Sequence, residues 1–413
     1  MLAEDPRHAD QLEAEIRFFG GGELPVRHFV EWETLPWDSF SPHQDIISER
    51  LKVLRALPAL RRGIVIAAAS VLQQRLPPTD YVAARSLSLQ TGQSLPREPF
   101  IEDLVAAGYA RVPQVSEHGE FAVRGSLIDL FPMGSRQPYR IEFFDDEIDS
   151  IRSFDVETQR SIEKLPAIEL LPAREFPLDE AGIKHFRQQF RQQFEVDPTT
   201  CPVYEDVSQG ISAPGIEYYL PLFFERLCSL FDYLPGQSQF LIEQSAFDGC
   251  EHFLEQVHQR YQARRYNLEH PLLEPARLFL DADEFGQRLQ QYPVTLFNPF
   301  KYEQTDQHTL NIDLKAVPSL AVQHHADEPL KLLKHYLQQL PQHRVLLCAE
   351  SAGRREFLSE LLRHHDIRPR EVKSYGDFLS NTEQRLFITV SPLEQGVQLD
   401  EAAVTLITES QLF

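Results

Sequence analysis

The chain has 413 residues, enough for about three domains of ordinary size. Apolar residues at 42% and charged residues at 25% are globular values, which exclude a disordered or low-complexity chain and leave material for a sizeable core. The formal net charge of -22 repels nucleic-acid phosphate, so tight DNA binding would need a local basic patch, and the sequence shows none. Residues 7–19 carry Leu12, Ile16 and Phe19 at helical spacing, and Gly20, Gly21 and Gly22 end that helix. A strand at 26–32, a loop with Pro36 and Pro42, a helix at 46–57 and a buried-type strand at 63–69 follow. This alternation predicts a parallel sheet. The pattern enters on a helix with no strand before it, and G-x-x-x-x-G-K-[ST] occurs nowhere, so the amides and lysine that hold a triphosphate are not encoded.

Residues 117–152 read EHGEFAVRGSLIDLFPMGSRQPYRIEFFDDEIDSIR and predict three strands joined by two tight connections. The first strand is 121–131, the second 139–144, and the acidic turn at Asp145 and Asp146 starts the third. Strand alternation puts Tyr139, Ile141 and Phe143 on a core face and Arg140, Glu142 and Phe144 on a wet one. An exposed Phe beside an Arg is the composition of a binding anchor. Arg124 joins that patch if its strand faces the same way, which Gly125, a candidate bulge, leaves open. Residues 87–172 hold 8 basic and 15 acidic residues, a balance of 8 − 15 = −7, which suits a protein partner better than a phosphate backbone.

Further on, Ile183, Phe186, Phe190 and Phe194 form an aromatic stripe at helical spacing over 179–194, with Lys184, Arg187 and Arg191 between them. The stripe and the dense aromatics of GIEYYLPLFFE at 215–225 read as core. Residues 238–300 predict strand, long helix, short helix and strand, and the polar stretch 298–308 marks a boundary. Beyond it lies a second α/β rhythm: helix 329–340, strand 344–349, helix 354–364, and strands 386–390 and 403–408.

Signals for chemistry are few. Cys201, Cys228, Cys250 and Cys348 form no C-x-x-C pair and read as free thiols of a reducing compartment. The pairs His324–His325 and His364–His365 are adjacent and so diverge rather than converge on a metal. Asp145, Asp146, Glu147 and Asp149 lack the calcium-loop register and read as a solvated turn. No G-x-S-x-G elbow occurs, and TLITES at 405–410 is only a faint echo of an acidic strand end in nucleotide hydrolases. With Glu4 and Asp5 at the start and no apolar leader or membrane-length run, the expected location is cytoplasmic.

EWETLPWDSFSPHQDIISERL (31–51), EHGEFAVRGSLIDLFPMGS (117–135), YRIEFFDDEIDSIRSFD (139–155) and PGIEYYLPLFFE (214–225) resemble, in order, the N-terminal region of bacterial transcription-repair coupling factors (Mfd). The resemblance covers most of the chain. It implies an α/β fold: a degenerate helicase-like parallel-sheet domain of the UvrB kind from residues 1–86 and 173–307, an inserted β-rich domain at 87–172, and a small C-terminal α/β domain at 308–413. It implies, too, that the inserted domain recruits the excision-repair protein UvrA through Arg124, Arg140 and Phe144, a non-catalytic part in transcription-coupled nucleotide excision repair. Residues 37–42 are too short for the tyrosine-rich hairpin with which UvrB-type proteins meet damaged DNA. In the family, ATP, magnesium, RNA polymerase and duplex DNA engage domains beyond the match, so the chain is expected to be a fragment or a truncated reading frame. An ATP-dependent DNA helicase or translocase of UvrB-like architecture is the rival reading, and a phosphate loop separates the two. Intramolecular docking of the inserted domain, masking the UvrA face against the translocase half, is compatible with the first. Arg140→Ala and Phe144→Ala are expected to leave the fold intact and Phe143→Ala to empty a core site.

Overall fold

The computed structural model describes residues 1–22, 24–303, 308–323 and 328–413. They divide into two compact units, one of Met1–Ala9, Arg27–Arg61 and Val65–Phe297, the other of Asp10–Val26, Arg62–Ile64 and Asn298–Phe413.

The first unit is built on a five-stranded sheet in the order Val294–Phe297, Phe240–Glu243, Leu2–Ala3, Ile64–Ala68, Val26–Phe29. Leu2–Ala3 pairs in parallel with the strands on both sides, so the expectation of a helix with no preceding strand is overturned. Two buried residues suffice at the middle of a parallel sheet, but they are too few for any periodicity to register. After them come only Glu4 and Asp5 before the helix Pro6–Gly20. Between Phe240–Glu243 and Val294–Phe297 two short helices, Pro275–Leu278 and Ala282–Leu289, follow the long Ala246–Arg264, where one short helix was predicted.

The aromatic stripe of Glu180–Gln193 is core as read: Phe186 and Phe190 are fully buried against Tyr204, Tyr219 and Phe223, and Asp179 caps the helix by accepting from the Gly182 amide. Tyr218 to Phe223, in the 3₁₀ turn Ile216–Leu222 and just after it, close the same core. Through its centre runs a buried polar link. Arg50 donates from Nε to Glu175 (2.8 Å), from one terminal nitrogen to the Val30 carbonyl (2.7 Å) and from the other to Gln74 (2.9 Å), while Trp32 Nε1 donates to the second Glu175 oxygen (2.9 Å). Trp32 and Arg50 both belong to the stretch 31–51, so that stretch supplies the core's ion pair and its indole clamp.

Within this unit the chain leaves through Leu87–Gln90 and returns through Ala167–Leu170, two antiparallel strands that keep the ends of the intervening segment together. That segment forms a six-stranded sheet in the order Ser161–Leu165, Glu147–Phe154, Tyr139–Phe144, Leu127–Leu130, Glu120–Arg124, Ala110–Arg111. The predicted single strand at 121–131 is two strands. Arg124 pairs with Leu127, leaving a two-residue turn in which Gly125 takes φ +62° and Ser126 does not turn positive, the II′ pattern that matches strand twist. One face of the sheet packs Phe121, Ile128, Ile141, Phe143 and Ile148 under the helix Arg97–Ala106, whose Phe100 ring lies 6.3 Å from that of Phe143.

The second unit has a six-stranded sheet in the order Lys315–Ala316, Val397–Leu399, Val404–Thr408, Arg344–Ala349, Leu386–Val390, Arg370–Glu371, parallel across its last four strands and antiparallel at the first edge. Lys331–Gln339 and Ala352–His364 supply apolar stripes to its core. Glu409, at the end of Val404–Thr408, is buried, accepts from the Glu350 amide (3.1 Å) and pairs with Arg354 in the first turn of Ala352–His364.

Candidate functional site

Register settles what alternation left open. Arg124 lies opposite Leu127, and Leu127 opposite Glu142 on the Tyr139–Phe144 strand. Residues directly opposite share a face, so Arg124 lies on the face of Arg140, Glu142 and Phe144. Arg140 and Phe144 are about 13 Å apart along their strand, and Arg124 is two strand spacings, roughly 10 Å, to the side. All three predicted residues are therefore brought to one patch centred on Glu142.

They differ in freedom. Phe144 is 75% exposed at the last position before the turn Asp145–Asp146, where the pairing Phe144 to Glu147 holds its backbone in the hairpin. Arg124 is exposed and donates to the Pro113 carbonyl (3.1 Å). Arg140 is tied down: Nε and a terminal nitrogen donate to the two oxygens of Asp129 (2.7 and 2.9 Å), and the other donates to the Gln159 carbonyl (3.3 Å). Its guanidinium carbon stands 5.0 Å from the centre of the Phe154 ring. The Asp129 bonds hold the Arg140 pKa above its already high value, so its charge is permanent.

Asp129 and Phe154 are the residues that sequence reasoning missed. Ala122, Val115, Phe131 and Phe154 form a second small core on the supposedly wet face, and Asp129 is buried beneath Arg140 at its margin. Arg140 points away from the core of Tyr139, Ile141 and Phe143 as expected, but the expectation that Arg140→Ala leaves the fold intact is corrected: its guanidinium stands over Phe154 of this second cluster, and its removal strips a buried carboxylate of its partner. The available signal was Asp129 itself, a lone carboxylate inside the apolar run LIDL. Beside it Arg152 pairs with Glu142 (3.2 Å), which keeps the centre of the patch neutral.

Other sequence signals gather nothing. Asp145, Asp146 and Glu147 are the exposed hairpin turn, with Asp149 exposed at a bulge beyond it. His364 and His365 sit at a helix end and belong to no metal-holding cluster among the described residues, and His324 and His325 lie outside the described residues. All four cysteines are free thiols, and burial pushes those of Cys250 and Cys348 up to about 12. Among the described residues no helix is long and apolar enough to cross a membrane.

The family model of the UvrB interaction domain matches residues 87–176, and that of the MFD, D3 domain matches residues 336–412. The transcription-repair-coupling factor of Haemophilus influenzae is 42% identical over 415 residues, covering all of this chain and 36% of that protein. The Escherichia coli factor is 40% identical over 413 residues, covering all of the chain and 35% of the relative, and that of Rickettsia bellii is 26% identical over 408 residues. The chain belongs to the transcription-repair-coupling factor family. It spans a little over a third of the length of the curated relatives it matches. In this family member the patch of Arg124, Arg140 and Phe144 falls wholly within the segment matched by the UvrB interaction domain.

Proposed function

We propose that the chain serves transcription-coupled nucleotide excision repair as a non-catalytic adaptor, its inserted domain recruiting UvrA through Arg124, Arg140 and Phe144. One observation carries the reading: a large aromatic ring held three-quarters exposed at a paired hairpin end, flanked on the same face by an arginine whose fork is already oriented. Exposing Phe144 forfeits its burial free energy, and a partner pocket restores it. The chain's membership of the transcription-repair-coupling factor family and the matched UvrB interaction domain support the setting.

The competing reading, an ATP-driven helicase or translocase, meets carboxylates where a triphosphate would need donors. The link after Leu2–Ala3 is Glu4 and Asp5, and Asp5 already caps the following helix by accepting from the His8 amide (2.8 Å). Burial raises the pKa of nearby Glu31, and Asp5 and Glu33 raise it further by repulsion. In the second unit, Glu409 fills the end of its strand. We assign ATP, magnesium, RNA polymerase and duplex DNA to other parts of the family's longer chains. Titration of the chain with purified UvrA tests the proposal: Phe144→Ala is expected to weaken binding about thirtyfold or more, the loss that follows truncation of a hot spot. Unchanged affinity, or micromolar ATP binding by calorimetry, sinks it.

A further inference from the structure

The helix Glu180–Gln193 buries Phe186 and Phe190 and presents Lys184, Arg187, Gln188, Arg191 and Gln192 to solvent. It carries three cations and one carboxylate, Glu180, a local balance of 3 − 1 = +2 in a chain of -22. Among the described residues none of Lys184, Arg187 and Arg191 forms an ion pair, although the chain offers 62 carboxylates. Arg187 and Arg191 are like charges at i, i+4, an arrangement that repels. Both are nevertheless held over one buried ring, their guanidinium carbons 5.9 and 5.5 Å from the centre of Tyr204, and Arg187 Nε donates to the Tyr204 hydroxyl (3.3 Å). A shallow, open groove of about 820 Å³ lies along this face, with Ile183 and Ser208 among its lining.

Covering the Tyr204 ring explains one arginine stem, not two forks side by side that meet no carboxylate among the described residues. We infer that this face is a docking surface for an acidic amphipathic helix of a protein partner. Lys184, Arg187 and Arg191 follow the i, i+3, i+7 spacing of a single helix face, about 10 Å from end to end, which carboxylates at the same spacing on an opposing helix match. Guanidinium forks take carboxylates two bonds at a time, and Ile183 gives an apolar side chain of the partner a seat. Nucleic acid fits less well: three cations release only about three counterions, against the repulsion of the whole chain.

The test is fluorescence anisotropy of the full chain with a labelled alanine-based helical peptide bearing glutamates at i, i+3 and i+7 beside one leucine. Its glutamine counterpart and a short DNA duplex are the comparisons. The glutamate peptide is expected to bind, to weaken steeply with salt, and to bind R187Q/R191Q about tenfold less well, while the glutamine peptide does not bind. Phe144→Ala is expected to leave this binding unchanged, which separates the inference from the UvrA proposal. If the double variant melts early, R191Q alone replaces it, since Arg187 then keeps its bond to Tyr204. No binding of the glutamate peptide, equal binding to the variant or by the glutamine peptide, or a duplex that binds more tightly than the peptide overturns the inference.

Discussion

Arg50 and Arg140 both grip buried carboxylates and both stand over aromatic rings, yet only one is built to be seen. Arg50 is 0% exposed; its donors go to Glu175, Gln74 and the Val30 carbonyl, and it packs over Phe29 and Trp32. Arg140 takes Asp129 by both oxygens but remains 18% exposed at the edge of its patch. Enclosure on every side makes the first a device of packing. Support from below with one edge in water makes the second an oriented, permanent charge that loses little rotamer freedom when a partner arrives.

The largest effect that tests this contrast is Arg50→Ala. Among the described residues it leaves the buried Glu175 carboxylate with only the Trp32 indole as donor, and orphaning a buried charge costs about 3–5 kcal/mol. Denaturant unfolding should show that loss. Arg140→Ala also orphans a buried carboxylate, Asp129, but beside solvent that enters once the arginine is gone, so a cost of about 1–3 kcal/mol is expected. Equal costs at the two sites would erase the distinction.

Between those two in size lies a pH effect in the same core. Burial pushes Glu217 up from 4.5 to about 7, against the opposing hydrogen bond from Ser41 (2.8 Å). Its folded-state value exceeds its unfolded one, so the folded state binds the extra proton between those values. The stabilising contribution is full below about pH 4.5 and is lost as pH rises through 7, amounting to about 3 kcal/mol. Thermal melts across pH 5–8 should show Glu217→Gln losing less stability on the alkaline side than the parent chain. Identical slopes would place Glu217 in a wetter setting than its burial indicates.

Local regularity was legible in the sequence. The strands Arg344–Ala349 and Leu386–Val390 are near-continuous buried apolar runs, and the stripe of Phe186 and Phe190 follows period 3.6, each over enough residues for the pattern to show. Leu2–Ala3 is a central strand but too short to have a period, so its presence depends on neighbours far along the chain. Gly125 was read as a candidate bulge within one strand, and only pairing across the hairpin shows that it opens a turn. At the patch, alternation placed Arg140 and Phe144 on the right face but was blind to what packs over that face. Asp129 and Phe154 come from neighbouring strands, and their meeting with Arg140 is a product of register.

The smallest expected effect on stability is the sharpest test of the patch. Phe143 and Phe144 are adjacent phenylalanines of one strand, identical in intrinsic propensity and opposite in facing. Phe143 is buried against Phe100, so Phe143→Ala removes core contacts and opens a cavity, a loss of about 3–5 kcal/mol. Phe144 has almost no neighbours to lose, so Phe144→Ala should change unfolding free energy by less than about 0.5 kcal/mol while UvrA affinity falls about thirtyfold. Arg124→Ala removes a side chain whose one hydrogen bond among the described residues is to an exposed carbonyl, and should behave likewise with a smaller loss of affinity. Paired melting and binding curves on the three variants decide the matter. A Phe144→Ala protein that melts with Phe143→Ala would mean the ring is covered, and a surface already covered has no anchor to offer a partner.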